Sequence, residues 1–256
     1  MQAAAFSEDK MENNLVLEQL YERKSHRAFL DAEITKEDKE KILLAAAMAP
    51  TAGNQQLYTI LDITNQSLKE KLSVTCDNQP FIAEAKMVLI FLADCRKWYE
   101  AYLAIGESPR KPGLGDLLSA VSDANIAAQN AVIAAESLGI GSCYIGDIME
   151  NCEEVKELLQ LPEYVFPAAM LVFGYPTEQQ KERIKPNRFP LSYIVRENGY
   201  GDISAEETIE ALKLRAYPAV SDIKTWLSAF CKRKYNSDFA KEMSRSVAEY
   251  LKEYER

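Results

Sequence analysis

Residues 116–146 read DLLSAVSDANIAAQNAVIAAESLGIGSCYIG, the longest regular segment of the chain. Leu117, Val121, Ala124, Ala128, Ala131, Ala135 and Leu138 recur in alternating steps of four and three, which marks one face of a helix over 116–138. The seam is mostly alanine, so a neighbouring element can approach closely. Such a helix is either the internal core helix of a domain or part of a subunit interface. Gly139 ends it as a left-handed cap. A short apolar piece over 142–148 follows, with glycines beside it.

Outward from this helix the chain alternates strands and helices. Met87-Val88-Leu89-Ile90-Phe91-Leu92 is a continuous apolar run, hence a central strand buried on both faces. Residues 57–63 alternate and are rich in Tyr, Thr and Ile, and 168–173 read as another buried strand. Helices are expected over 15–21, 67–74 and 155–161, the last closed by Pro162. Thr35-Lys36-Glu37-Asp38 has the form of a capping box with Asp in place of Glu or Gln. The helix behind it carries Ile42, Leu43, Ala46 and Ala47 and stops at Pro50. Residues 107–115 hold two prolines, two glycines and two cations and read as a surface loop of the kind found over active sites. A polar stretch over 176–190 precedes a charged helical tail from Ala205. No internal repeat or low-complexity segment is present.

The 256 residues suffice for one large domain or two small ones, and 47% apolar with 27% charged residues is an ordinary globular composition. A net charge of -9 argues against nucleic acid or an anionic membrane surface as partner. No apolar run is long enough to span a bilayer. The first nine residues lack the charged start and apolar stretch of a signal peptide, so a cytosolic location is expected. The five cysteines, Cys76, Cys95, Cys143, Cys152 and Cys231, are scattered, which fits reduced thiols. With one histidine and no C-x-x-C pair, no metal site is expected.

Against this acidic background Glu22-Arg23-Lys24-Ser25-His26-Arg27-Ala28-Phe29 is a basic knot. Arg supplies a planar fork of donors, Lys a point charge and Ser a short hydroxyl, a set suited to a phosphate monoester. A solvated basic turn is the plain alternative. Gly139, Gly141 and Gly146 miss the G-x-G-x-x-G pattern, and Ser142 lacks the first glycine of G-x-S-x-G. A serine hydrolase would have to use His26, whose basicity the neighbouring cations depress. What remains is a set of polar and glycine-rich segments without an obvious nucleophile, the pattern of an enzyme whose cofactor carries the reactive atom.

These segments, in this order, resemble the FMN-dependent nitroreductase family, and most of all its oxygen-insensitive NADPH nitroreductases and NADPH–FMN oxidoreductases. The resemblance runs from Leu15 to the C-terminal helices. The knot is similar to the family's basic-Ser-x-Arg-x-Phe entry, which implies that Arg23, Lys24, Ser25 and Arg27 meet the flavin phosphate and ribityl chain. Pro50-Thr51-Ala52-Gly53-Asn54-Gln55-Gln56 resembles a Pro-Ser-x-x-Asn-x-Gln loop that reaches the partner subunit's flavin, with Thr51, Ala52, Gly53, Asn54 and Gln56 as contacts. Gln79 resembles the glutamine that bonds the flavin ring or ribityl. Tyr144-Ile145-Gly146-Asp147 corresponds to Tyr-Ile-Gly-Gly, whose backbone N–H groups face flavin N5 and O4. Asp147 departs from that pattern and would lower the flavin potential if it points inward. Lys185-Pro186-Asn187-Arg188-Phe189-Pro190 resembles Lys-Pro-Arg-Leu-Pro with Asn187 inserted, which implies a phosphate role for Lys185 and, if the loop absorbs the insertion, Arg188.

The resemblance implies an α+β fold, a mostly antiparallel central sheet flanked by helices, in an intertwined homodimer. It divides the chain into an N-terminal extension (1–14), an FMN-binding core (15–200) and a C-terminal helical extension (201–256). It implies ping-pong hydride transfer from NADPH or NADH through flavin N5 to nitroaromatic, quinone, azo or flavin acceptors, with no catalytic side chain. Lys232-Arg233-Lys234 is a candidate for the 2′-phosphate of NADPH, or else a solvated helix face. The competing class is a non-catalytic or flavin-handling FMN-binding protein, favoured if 107–115 closes over the flavin.

Overall fold

The computed structural model describes residues 14–255. Apart from Asn14, the expected N-terminal extension lies outside the described residues. The chain forms two units, Met1–Glu182 with Ser246–Arg256, and Arg183–Arg245. The first contains α1 (Leu15–Glu22), α2 (Lys36–Ala47), β1 (Tyr58–Asp62), α3 (Gln66–Thr75), α4 (Phe81–Glu84), β2 (Met87–Asp94), α5 (Arg96–Ala104), α6 (Leu114–Ser137), β3 (Gly141–Ile145), α7 (Cys152–Leu159), β4 (Val165–Gly174) and α8 (Glu178–Glu182). The four strands form one antiparallel sheet in the order β1-β2-β4-β3.

The sheet is covered on both faces, as the unbroken apolar run of β2 requires. Met87, Leu89, Phe91 and Ala93 join a core with α2 and α6, while Val88, Ile90 and Leu92 join a second core with α3, α4 and α7. This is the period-two alternation of a strand with no solvent face. α6 is the core helix of the first layer. It buries Leu117, Ala124, Ala128, Ala131 and Ala135 as expected, and Ala120, Ala127 and Val132 as well. The buried stripe is wider than the predicted seam because α6 packs on α2 and on the sheet at once. Gly139 follows with φ 72, the expected left-handed position.

Local signals explain the ends. Thr35 caps α2 by accepting from the Asp38 amide at 3.0 Å. Asp116 accepts from the Gly113 amide at 2.8 Å, so α6 begins at Leu114 rather than at Asp116. α7 begins at Cys152 rather than Val155, because the Ser246 hydroxyl accepts from the Cys152 amide at 2.9 Å and donates to the Met149 carbonyl at 2.6 Å. α5 has no counterpart in the sequence reading. Trp98, Tyr99, Tyr102 and Leu103 stand at helical spacing on it, but it buries no residue completely.

The segment after α1 runs beside the β3 edge. His26 donates its backbone N–H to Ser142 (2.9 Å) and Leu30 donates to Tyr175 (2.7 Å), with bridges Ser25–Ser142 and Phe29–Pro176. Gly141 and Gly174 are cross-strand partners. A Cβ on Gly141 would come within 2.5 Å of His26 Nδ1, and one on Gly174 within 2.6 Å of Phe29 Cγ. The two glycines are there for space; the rings lie where their side chains would stand.

The second unit holds α9 (Leu191–Ile194), α10 (Ala205–Ala216), α11 (Ile223–Lys234) and the start of α12 (Asp238–Leu251). The expected helical tail is thus three helices. Arg196, Tyr193, Phe189, Arg215, Trp226, Phe230 and Arg233 form a series of cation–aromatic and ring contacts, each 5.0–6.0 Å.

Candidate functional site

The basic knot divides into two sets. The Arg23 guanidinium lies over the Tyr144 ring at 5.7 Å. Burial pushes the Cys143 thiol up, while Arg27, the Ser25 hydroxyl and Arg23 pull it the other way, so all three act on the middle of β3. Arg23 Nε and Nη2 are buried and have no hydrogen-bond partner in the protein. A buried guanidinium needs an anion or acceptor, and these two nitrogens, with Ser25 and the exposed Arg27, fit a phosphate. Lys24 is not with them. It donates to the Lys181 carbonyl and, with His26, lines a cavity of about 260 Å³ that also holds Glu22, Glu136 and Lys181. His26 is therefore surrounded by carboxylates as well as cations, and its 4% exposed ring is a packing element.

Tyr144 and Ile145 end β3, and Gly146 and Asp147 open the 3-10 turn Gly146–Met149. The Tyr144 hydroxyl donates to Gln129 Oε1 at 3.2 Å. Burial raises its pKa to about 12, with Arg23 opposing, so it stays protonated at neutral pH. The Asp147 carbonyl accepts from the Glu150 amide at 3.0 Å. Its carboxylate is half-buried, and is a lesser cause, after burial, of the raised thiol pKa at Cys76 and Cys143.

The loop carrying Thr51, Ala52, Gly53, Asn54 and Gln56 is fixed to α6 and α5 rather than to the arginines. Asp123, 2% exposed, accepts from the Ala52 amide (3.0 Å) and the Leu57 amide (3.2 Å), clamping both ends of the loop. The Gln55 carbonyl accepts from Trp98 Nε1 at 2.7 Å, and Thr51 Oγ1 accepts from the Gln56 amide at 3.2 Å. Gln56 Nε2 also donates to Asn54 Oδ1 at 3.3 Å. Gly53, Asn54 and Gln56 adopt φ of 56, 56 and 51, a left-handed turn. Gln129 and Asp123 place the β3 end and this loop on one helix, about 9 Å apart along its axis at 1.5 Å per residue.

Gln79 follows α3 behind the left-handed Asp77 and Asn78, and its carboxamide donates to the Cys76 carbonyl at 2.9 Å. Lys185 and Arg188 belong to the second unit, where Arg188 donates to the Pro186 carbonyl at 2.8 Å. The inserted Asn187 donates to the Tyr217 carbonyl at 2.6 Å. Lys232, Arg233 and Lys234 form the last turn of α11, with Arg233 over the Phe230 ring. Asp123, Gln129 and Trp98 were not among the predicted site residues. Asp123 carried a signal, a lone carboxylate inside an alanine-rich seam. Among the described residues, no cluster of His, Cys, Asp or Glu could hold a metal ion.

A model of the Nitroreductase family matches residues 20–175. An FMN reductase [NAD(P)H] of Bacillus subtilis is 31% identical over 95% of this chain and 92% of its own length. An oxygen-insensitive NADPH nitroreductase of Salmonella typhimurium is 35% identical over 72% of this chain and 74% of its own. Among solved structures, Bacillus megaterium NfrA2 superimposes with a TM-score of 0.77 at 29% identity, covering 92% of this chain and 96% of that one.

Proposed function

The chain belongs to the nitroreductase family, and from that premise we propose an NAD(P)H-dependent FMN oxidoreductase that works by a ping-pong cycle on small aromatic acceptors. The observation that carries the phosphate end of this reading is the buried, unbonded Nε and Nη2 of Arg23 beside Ser25 and Arg27. FMN, when bound, would supply the redox chemistry, hydride transfer between NADPH or NADH and a nitroaromatic, quinone, azo or flavin acceptor. Arg23, Ser25 and Arg27 bind its phosphate and ribityl end. Backbone N–H groups of the turn at Gly146 and Asp147 orient the ring. Gln79 bonds the ring or ribityl through atoms its Cys76 contact leaves over. No side chain acts as nucleophile or base.

We place the second half of each site on a second copy of the chain. α6 turns Leu114, Leu118 and Ile126 outward, α2 and the residue after it turn out Leu44 and Met48, and α1 turns out Leu15, Val16 and Leu20. α6 packs against both α1 and α2, and exposed apolar residues on the three helices suit a subunit interface. Through it, Thr51, Ala52, Gly53, Asn54 and Gln56 reach the partner's flavin. Among the described residues no helix is long and apolar enough to cross a membrane. The five free cysteines fit a reducing compartment, and the cytosol is our reading.

Purified protein should be yellow, with flavin absorbance that bleaches under NADPH. Arg23→Gln removes a charge-assisted contact of about 1.5–3 kcal/mol, so FMN affinity should fall roughly 10- to 100-fold. Colourless protein that FMN cannot reconstitute, or unchanged affinity in Arg23→Gln, would overturn the reading.

A further inference from the structure

A second cavity, of about 360 Å³, lies away from the arginine cluster, between α5 and the segment 107–113. Its apolar walls are Leu57, Trp98, Tyr99, Tyr102, Pro109 and Pro112. We propose that this cavity is a binding site for a neutral, planar aromatic molecule carrying a hydrogen-bond acceptor.

Four observations carry it. The volume is that of a small-molecule pocket, and the larger part of the lining is apolar and aromatic, beside Gln55, Cys95, Arg110 and Asp116. α5 is amphipathic but buries none of its residues completely; Trp98 and Tyr102, ring centroids 5.8 Å apart, remain 36% and 38% exposed and face this space. The Trp98 ring is held in place by its N–H bond to the Gln55 carbonyl, so its face is presented before any ligand arrives, which lowers the entropic cost of stacking. The polar groups at the rim are matched. Arg110 forms a two-pronged ion pair with Asp116, which also accepts from the Gly113 amide. The pair leaves no net charge to attract an ion, while Arg110 retains further N–H donors for a carbonyl. Burial pushes the Cys95 thiol in the wall up to about 12, so it offers no thiolate and the site is one of binding rather than covalent chemistry.

Coumarin, a neutral two-ring lactone, serves as the probe. Equilibrium dialysis against FMN-loaded protein should give one saturable site per chain. Tyr102→Ala should weaken it at least 10-fold with unchanged FMN content, and Trp98→Leu should weaken it at least 10-fold. In a Trp226→Phe background Trp98 is the sole tryptophan, and its emission should quench saturably with the same midpoint. Absence of saturable binding up to 1 mM, binding indifferent to Tyr102→Ala and Trp98→Leu, or quenching that rises linearly without a plateau would overturn the proposal. The Trp98 readout decides the matter even if the Tyr102 variant does not fold. A colourless protein that still binds coumarin would count against the flavin reading alone.

Discussion

Gly141 and Gly174 face each other across β3 and β4, and the rings of His26 and Phe29 occupy the space their side chains would fill. Neither glycine has a positive φ, so the requirement is volume and not backbone freedom. The entry segment that carries Arg23, Ser25 and Arg27 is thereby keyed into the sheet edge at two points.

Gly141→Ala should destabilise the protein by about 1–3 kcal/mol, the usual cost of overpacking, because the new methyl meets a ring on a hydrogen-bonded segment. Adding His26→Ala should restore about 1 kcal/mol or more of that loss. Urea unfolding of the two single variants and the double variant measures it. A single-variant loss below about 0.5 kcal/mol, the range of neutral surface changes, would show that the His26 ring moves aside freely.

Asp123→Asn keeps the size of the side chain but turns one acceptor into a donor facing a backbone N–H. The clamp on Ala52 and Leu57 loses a charge-assisted bond and leaves a buried donor unmatched, at a cost of about 2 kcal/mol. Amide exchange over 51–57 should speed up while β2 stays protected. Equal protection in loop and strand would mean that the loop is held by its left-handed turn and not by the carboxylate.

Thiol reactivity should divide four to one. Cys76, Cys95, Cys143 and Cys152 are buried with raised pKa values, burial being the first cause in each, whereas Cys231 is exposed. An aromatic disulfide reagent at neutral pH should consume one thiol per native chain and five after denaturation. Fast modification of a second native thiol would point to opening of the core.

The elements legible in the sequence are those whose burial leaves a periodic trace. β2 was readable because both faces are covered, and α6 because its alanines recur at helical spacing. α5 is short and its apolar face, Trp98, Tyr99 and Tyr102, is only partly covered, so the segment stood out less than the core elements. In the site, composition grouped Lys24 with its cationic neighbours, but side chains along the segment alternate, and Lys24 goes with His26 to another cavity. Asp123 escaped notice because its partners are loop amides remote in sequence, which no side-chain motif records.

That alternation makes the stretch between α1 and Phe29 intolerant of changes in length. A one-residue deletion there would reverse its parity, carrying the His26 ring out of the Gly141 recess and exchanging the side chains that face Tyr144 for those that now face away. Homologous chains that keep both glycines are therefore expected to preserve the residue count of this stretch.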